Sequence, residues 1–233
     1  MRHAIISDIH GNLEALTKAL SIIEERGADR IVCLGDIVGY GAEPNACVDL
    51  VRSRCSVVVL GNHDAAALDP SVAHDFNPIA RRAVLWTSEQ LTAENRSFLA
   101  SLPLTAGDEQ ILFVHASPDT PQQWDYIVDN DDASVAFRHF TQRLCFIGHT
   151  HVPGIFGRTG RLKHITPEEQ AIVNVGSIGQ PRDGNPMLAF GIFDDAAWSY
   201  ELIRSEYDIE TAAAKIYAAK LPEELGNRLL YGM

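Results

Sequence analysis

A chain of 233 residues, 46% hydrophobic and 21% charged, can bury a full core without disulfides or a structural metal. Its 19 Lys plus Arg against 31 Asp plus Glu leave a net charge of -12, which argues against an extended nucleic-acid footprint but not against a small phosphorylated substrate, because bound cations can reverse a local field. The opening MRHAIISDIHG is too short an apolar run for a signal peptide and no segment reaches transmembrane length, so a cytoplasmic chain with no membrane partner is expected.

His3 to Ser7 reads as a β-rich run that stops at Asp8. From Asn12 to Arg26, Leu13, Leu16, Leu20 and Ile23 recur at helical spacing, with Asn12 as the cap and Gly27 as the stop. A second strand at Arg30 to Leu34 ends at Gly35-Asp36. A helix with Pro at its first turn covers Pro44 to Arg54, and a third strand at Ser56 to Leu60 ends at Gly61-Asn62. Strand, loop and helix in repetition predict a parallel sheet with crossover helices. Residues 78–102 read as two helical pieces, and 65–110 as a helical insert suited to a pocket wall or an oligomer contact. Ile111 to Val114 is a strand ending at His115; a helix near Asp132 to Phe140 precedes the strand Leu144 to Ile147, which ends at Gly148-His149. Ile155–Phe156, Leu162–Ile165, Ala171–Val175, Leu188–Phe193 and Trp198–Ile203 are short strands between Gly, Pro and Asp turns, the pattern of an antiparallel portion. Residues 209–220 close the chain as an amphipathic helix, and no linker divides 1–233, so a single domain is expected.

Polar residues fall where these strands end. Asp8-Ile9-His10, Gly35-Asp36, Gly61-Asn62-His63-Asp64, His115 and Gly148-His149-Thr150-His151 each close one of five strands. In an open α/β sheet the ligand site lies beyond the carboxyl ends of the strands, so the five clusters are expected to converge. Each has a plainer reading alone: Asp8 as a cap, Gly35-Asp36 as a turn, His115 as a core histidine. Those readings would all have to hold together, and alternating histidines behind a buried strand are costly without a partner. Carboxylates, imidazoles and one amide, with no thiolate, suit Mn, Fe, Zn or Ni. Asp8, His10, Asp36, Asn62, His115, His149 and His151 are too many ligands for one small ion, whereas two ions sharing a carboxylate would use them all. Cys33, Cys47, Cys55 and Cys145 form no C-x-x-C pair and read as small core hydrophobes. His3, His74, His139 and His164 belong to no cluster.

In order and spacing the five elements resemble the calcineurin-like metallophosphoesterase superfamily: D-x-H, G-D, G-N-H-[DE], a lone His and G-H-x-H. The match spans residues 8 to 151, about two thirds of the chain. Within the superfamily the chain is similar to the small bacterial and archaeal phosphodiesterase-like group related to diadenosine tetraphosphatases, and the run Asn174 to Arg182 resembles a closing loop of that group. The resemblance implies a four-layer α-β-β-α sandwich with two mixed β-sheets. It implies two divalent ions, manganese first, with Asp8, His10 and His151 on one, Asn62, His115 and His149 on the other, and Asp36 on both. A hydroxide bridging the ions attacks phosphorus in that family, and His63 matches its non-ligand catalytic histidine. The implied function is hydrolysis of small phosphodiesters or phosphomonoesters, nucleotide derivatives included; the superfamily also holds nucleases and a non-catalytic scaffold. Arg182 is a candidate phosphate contact or a surface residue of a Gly/Pro loop. A homo-oligomer is compatible with the sequence. One departure narrows the branch: protein phosphatases carry Asp-Arg where this chain has Gly39-Tyr40, so the phosphate-clamping arginine and the histidine-orienting aspartate of that branch are missing.

Overall fold

In the first strand, β1 (Arg2–Ile6), the pleat sends Ala4 and Ile6 to one side of the sheet and Ile5 to the other, and both sides are buried. A strand apolar on both faces has to be covered twice, and the rest of the fold supplies both covers. The computed structural model describes every residue from Met1 to Met233. After β1 come α1 (Leu13–Glu25), β2 (Arg30–Cys33), α2 (Pro44–Arg54) and β3 (Val57–Val58), with the three strands parallel. Asn12 caps α1 by accepting the Ala15 amide at 3.1 Å. A helical segment follows: α3 (Asn62–Leu68), a 3-10 turn at Pro70–Asp75, α4 (Pro78–Gln90) and α5 (Ala93–Ala100).

The second sheet is built from β4 (Thr105–Gly107), β5 (Ile111–Val114), β6 (Leu144–Ile147), β7 (Gly154–Gly157), β8 (Gly160–Arg161) and β9 (Ala171–Asn174), with α6 (Asn130–Ala136) crossing between β5 and β6. The chain then returns to the first sheet through β10 (Leu188–Asp194) and β11 (Ser199–Ser205), and ends in α7 (Ile209–Ala218) and α8 (Glu223–Tyr231). Strand order is β11-β10-β1-β2-β3 in the first sheet and β4-β5-β6-β9-β7-β8 in the second. Both are mixed: β10 runs antiparallel to β1, placing Gly191 opposite Ile5, and β7 runs antiparallel to β9.

Three apolar layers stack across the fold. Ala4, Ile6, Cys33 and Phe190 of the first sheet pack on Leu16, Leu20 and Ile23 of α1 and Val48 and Val51 of α2. Ile5, Val32 and Phe193 face the other way, onto Phe113, Phe146 and Val173 of the second sheet. On that sheet's far side, Cys145, Ile147 and Ile172 meet Ala133, Ala136 and Phe137. The result is the four-layer α-β-β-α sandwich expected from the sequence. No helix is long and apolar enough to cross a membrane. Phe146 joins the two sheets, its ring centroid 5.9 Å from Phe113 and 5.6 Å from Phe193. Phe146→Ala is expected to cost about 3–5 kcal/mol of stability, read as a lower urea midpoint; a loss below about 1 kcal/mol would contradict the placement of this core.

Several expected elements differ. The strand expected at Ser56 to Leu60 is cut to Val57–Val58, because it is an edge strand whose Leu60 amide turns away to donate to Pro103 O at 2.8 Å. Leu162–Ile165 is no strand: β8 ends at Arg161, a last backbone bond runs from the Leu162 amide to Ile155 O at 2.9 Å, and Leu162 and Ile165 pack into the inter-sheet core from an irregular loop. The helix near Asp132 to Phe140 is α6, capped earlier than expected by Asp129; Phe137 and Phe140 stay buried beyond its end. Strand β4 and helices α3 and α8 carry no periodic signal long enough to have been read.

Candidate metal centre

Each strand that closes on a ligand-type residue sends the backbone into a tight, polar turn. β1 ends before Asp8 and His10, β2 before Asp36, β5 before His115, and β6 before His149 and His151, while Asn62 and His63 open α3 just after β3. The turns are stitched to one another. The Asp8 and His10 amides donate to Gly35 O and Asp36 O at 3.1 and 2.9 Å, the Gly148 amide to His115 O at 2.9 Å, and the His149 amide to Asp8 Oδ2 at 3.0 Å. Gly61 approaches Asp36 so closely that a Cβ there would lie 2.1 Å from Asp36 Oδ1, so only glycine fits. Asp8, His10, Asp36, His149 and His151 all have φ between 51° and 66°, the left-handed region that costs non-glycine residues on the order of 1–3 kcal/mol each. Asp64 offsets part of that cost: its carboxylate accepts the amides of Ile37, Val38 and Gly61 at 2.9, 3.1 and 3.1 Å, tying the Asp36 turn to α3.

The seven expected ligands meet in one buried cluster, none more than 6% exposed. Three histidines are oriented from outside. His10 Nδ1 faces Val38 O at 3.1 Å, His115 Nδ1 faces Leu34 O at 2.8 Å, and His151 Nδ1 faces Gln180 O at 2.5 Å. A carbonyl oxygen only accepts, so each Nδ1 carries hydrogen, and in the neutral ring each Nε2 offers a lone pair inward. Those lone pairs face other acceptors. His10 Nε2 lies 3.1 Å from His151 Nε2, and Asp8 Oδ1 is 3.3 Å from the latter. His115 Nε2 lies 3.1 Å from Asn62 Oδ1, 3.2 Å from His149 Nδ1 and 3.4 Å from Asp36 Oδ2. Asp36 Oδ2 is also 3.6 Å from His10 Nε2, which puts this carboxylate between the two groups. Donor atoms that face one another without hydrogens between them repel unless a cation sits among them. The donor set therefore fits divalent metal ions, with Asp8/His10/His151 and Asp36/His115/His149 each gathered within 4.8 Å.

Charge follows the same pattern. Burial lowers His10 and His151 below the ordinary imidazole value, and His149 to about 3, which keeps their lone pairs free. Burial also opposes charge on His115, but Asp36 beside it outweighs this and carries its pKa up to about 9. The Asp36 carboxylate thus favours positive charge beside His115 Nε2, a place that a metal ion would take over from a proton. Chelation is expected to lower the Tm of the metal-loaded protein, and Mn²⁺ at a hundred times its Kd to restore about 2.7 kcal/mol. Thermal unfolding with and without EDTA reads this, and an unchanged Tm would count against a metal in the cluster.

His63 stands beside the cluster and groups with His10 and Asp36 within the same 4.8 Å limit. Its ring lies between Tyr40 and Phe76, at 4.4 and 4.7 Å, and burial holds it at a pKa of about 4. Its Nδ1 is buried with no hydrogen-bond partner and lies against Gly39, where a Cβ would come within 2.5 Å of it. Arg182 is half-buried at the rim, its Nη2 donating to Gln180 Oε1 at 2.9 Å and Tyr40 Oη at 3.3 Å. Beside His63 and His149 opens a cleft of about 410 Å³, whose other wall includes Phe76 and Asn77 from the helical segment and Trp124 and Tyr126 from the loop after β5. Phe76, Trp124 and Tyr126 sit in no motif, so no sequence signal marks them as part of this cleft.

The sequence profile of the calcineurin-like phosphoesterase superfamily domain matches residues 1–195. An uncharacterized protein of Methanocaldococcus jannaschii is 41% identical, the alignment covering 98% of this chain and 97% of that protein. The phosphodiesterase YfcE of Escherichia coli is 25% identical over 84% of this chain and 88% of its own length. Among solved structures, a metallophosphoesterase from Sphaerobacter thermophilus superposes with a TM-score of 0.91 at 39% identity, covering 100% of this chain and 99% of that one. With a profile matched over most of its length and its donor cluster built from the five strand-end motifs, the chain belongs to the calcineurin-like phosphoesterase superfamily.

Proposed function

We propose that the chain is a binuclear metal-dependent phosphoesterase acting on small phosphodiesters or phosphomonoesters, nucleotide derivatives included. The observation that carries this reading is the set of inward lone pairs and carboxylates facing one another in a buried cluster. Asp8, His10 and His151 would hold one ion, Asn62, His115 and His149 the other, and Asp36 both, with manganese as the first candidate. Bound there, two divalent ions lower the pKa of a water and neutralise phosphate oxygens. The chain's own part is positioning. Outer carbonyls fix the tautomers of His10, His115 and His151, so the donors are set before substrate arrives. An unpartnered buried lone pair costs less than an unpartnered buried N–H, so His63 keeps its hydrogen on Nε2, from which it donates to the charge developing on the leaving oxygen. Arg182, already held by Gln180 and Tyr40, would take a non-bridging phosphate oxygen. Hydrolysis of bis-p-nitrophenyl phosphate, run separately with Mn²⁺, Ni²⁺, Zn²⁺ and Mg²⁺, tests the reading; no turnover with any ion would overturn it. Arg182→Ala in the same assay tests the phosphate contact, which an unchanged KM would remove.

A further inference from the structure

Two cavities, of about 720 and 780 Å³, lie among Arg82, Tyr217 and Lys220 and among Arg143, Arg158 and Glu169, and neither touches the donor cluster. The 410 Å³ cleft does, through Asn62, His63 and His149, and its lining is of another kind. Tyr40, Phe76, Trp124 and Tyr126 bring four aromatic rings to it, with Asp75, Asn77 and Gln123 as polar neighbours. Tyr126 stacks on His149 at 4.0 Å and 26°, yet stays 54% exposed, so one face of its ring is covered and much of the rest is open. Trp124 sets its ring at 72° to that of His115, 5.9 Å away. It does so from a left-handed backbone at φ 59°, a conformation bulky residues rarely adopt. Asn77 uses Oδ1 to cap α4, receiving the Ala80 amide at 2.9 Å, and its other amide atom is free to donate. Aromatic faces next to a carboxylate and an amide suit a flat heterocycle with a hydrogen-bonding edge better than an aliphatic chain.

We propose that this cleft seats the base of a nucleoside phosphate, its face on Trp124 and Tyr126 and its polar edge toward Asp75 and Asn77, leaving the phosphate at the donor cluster. The substrate class is then a nucleotide ester recognised through its base; the inference rests on the phosphoesterase reading above. Stacking a base on aromatic side chains typically gains about tenfold or more in affinity per base.

The test is competition against bis-p-nitrophenyl phosphate hydrolysis by the Mn²⁺-loaded protein, using AMP and ribose 5-phosphate, which share a phosphate and sugar and differ in the base. AMP is expected to inhibit at least about tenfold more tightly than ribose 5-phosphate. In a Trp124→Ala/Tyr126→Ala variant, AMP should fall to the level of ribose 5-phosphate while ribose 5-phosphate itself shifts less than about twofold; Trp124→Phe should keep most of the preference. Equal inhibition by the two compounds in the wild-type protein, which needs no variant to fold, overturns the base subsite and leaves the phosphoesterase reading standing. Absence of hydrolysis with every ion overturns that reading instead, and calorimetric titration of the same two compounds then decides the cleft.

Discussion

Asp36→Asn is expected to lower kcat/KM by at least about 10³-fold and to leave fewer than two Mn²⁺ per chain, because it removes the only carboxylate that both donor groups approach. Asparagine keeps the size of the side chain and an oxygen able to accept the His63 amide, which Asp36 Oδ1 now does at 2.8 Å. What it loses is the charge, and its amide hydrogens would face His115 and His10. Folding should survive. Asparagine also removes a buried carboxylate whose charge is stabilised chiefly by His115 beside it, so thermal unfolding in EDTA should move by no more than about 2 kcal/mol. Metal content by plasma mass spectrometry and stability in EDTA together separate loss of the site from loss of the fold. A variant that retains two ions and near-native turnover would remove Asp36 from its bridging role.

His63→Ala is the second large effect, with the opposite division. Turnover should fall by roughly 10²–10⁴-fold while metal content stays at two per chain, since each proposed ion already has three donors plus Asp36 without it. The distances alone would also admit His63 as a ligand beside His10 and Asp36. The variant decides between these roles. Loss of an ion with loss of activity would make His63 a ligand, and near-native activity would leave it no role at all. His63→Gln should recover part of kcat, because a side-chain amide N–H can still donate toward the leaving oxygen.

The donor cluster was legible in the sequence because its members are tied to strand ends, and a strand end is among the few tertiary positions that a linear pattern reveals. Ile5, Val32, Phe113 and Phe146 fix the sheets; Asp8, Asp36, His115 and His149 follow wherever those strands stop. α3 was not legible. Gly61-Asn62-His63-Asp64 carries turn residues, and the helix starts there because Asp64 reaches back to the Gly61 amide and across to the Asp36 turn, a long-range tie that no local propensity encodes. Leu162 and Ile165 misled for the converse reason: their apolar spacing is satisfied by burial between the sheets, with only the Leu162 amide still bonded to β7. In α8, Gly226 and the short length weaken any helical signal, and packing against α7 supplies the stability that propensity does not. The aromatic cleft stayed hidden because Phe76 and Trp124 are 48 residues apart and meet only when the helical segment folds over the loop after β5.

The most direct measurement is anomalous diffraction at the manganese edge from crystals grown with Mn²⁺. Two peaks about 3.5–4 Å apart are expected, one against Asp8, His10 and His151, the other against Asn62, His115 and His149, with Asp36 between them. A single peak, or a pair at any other place in the fold, would contradict the binuclear centre.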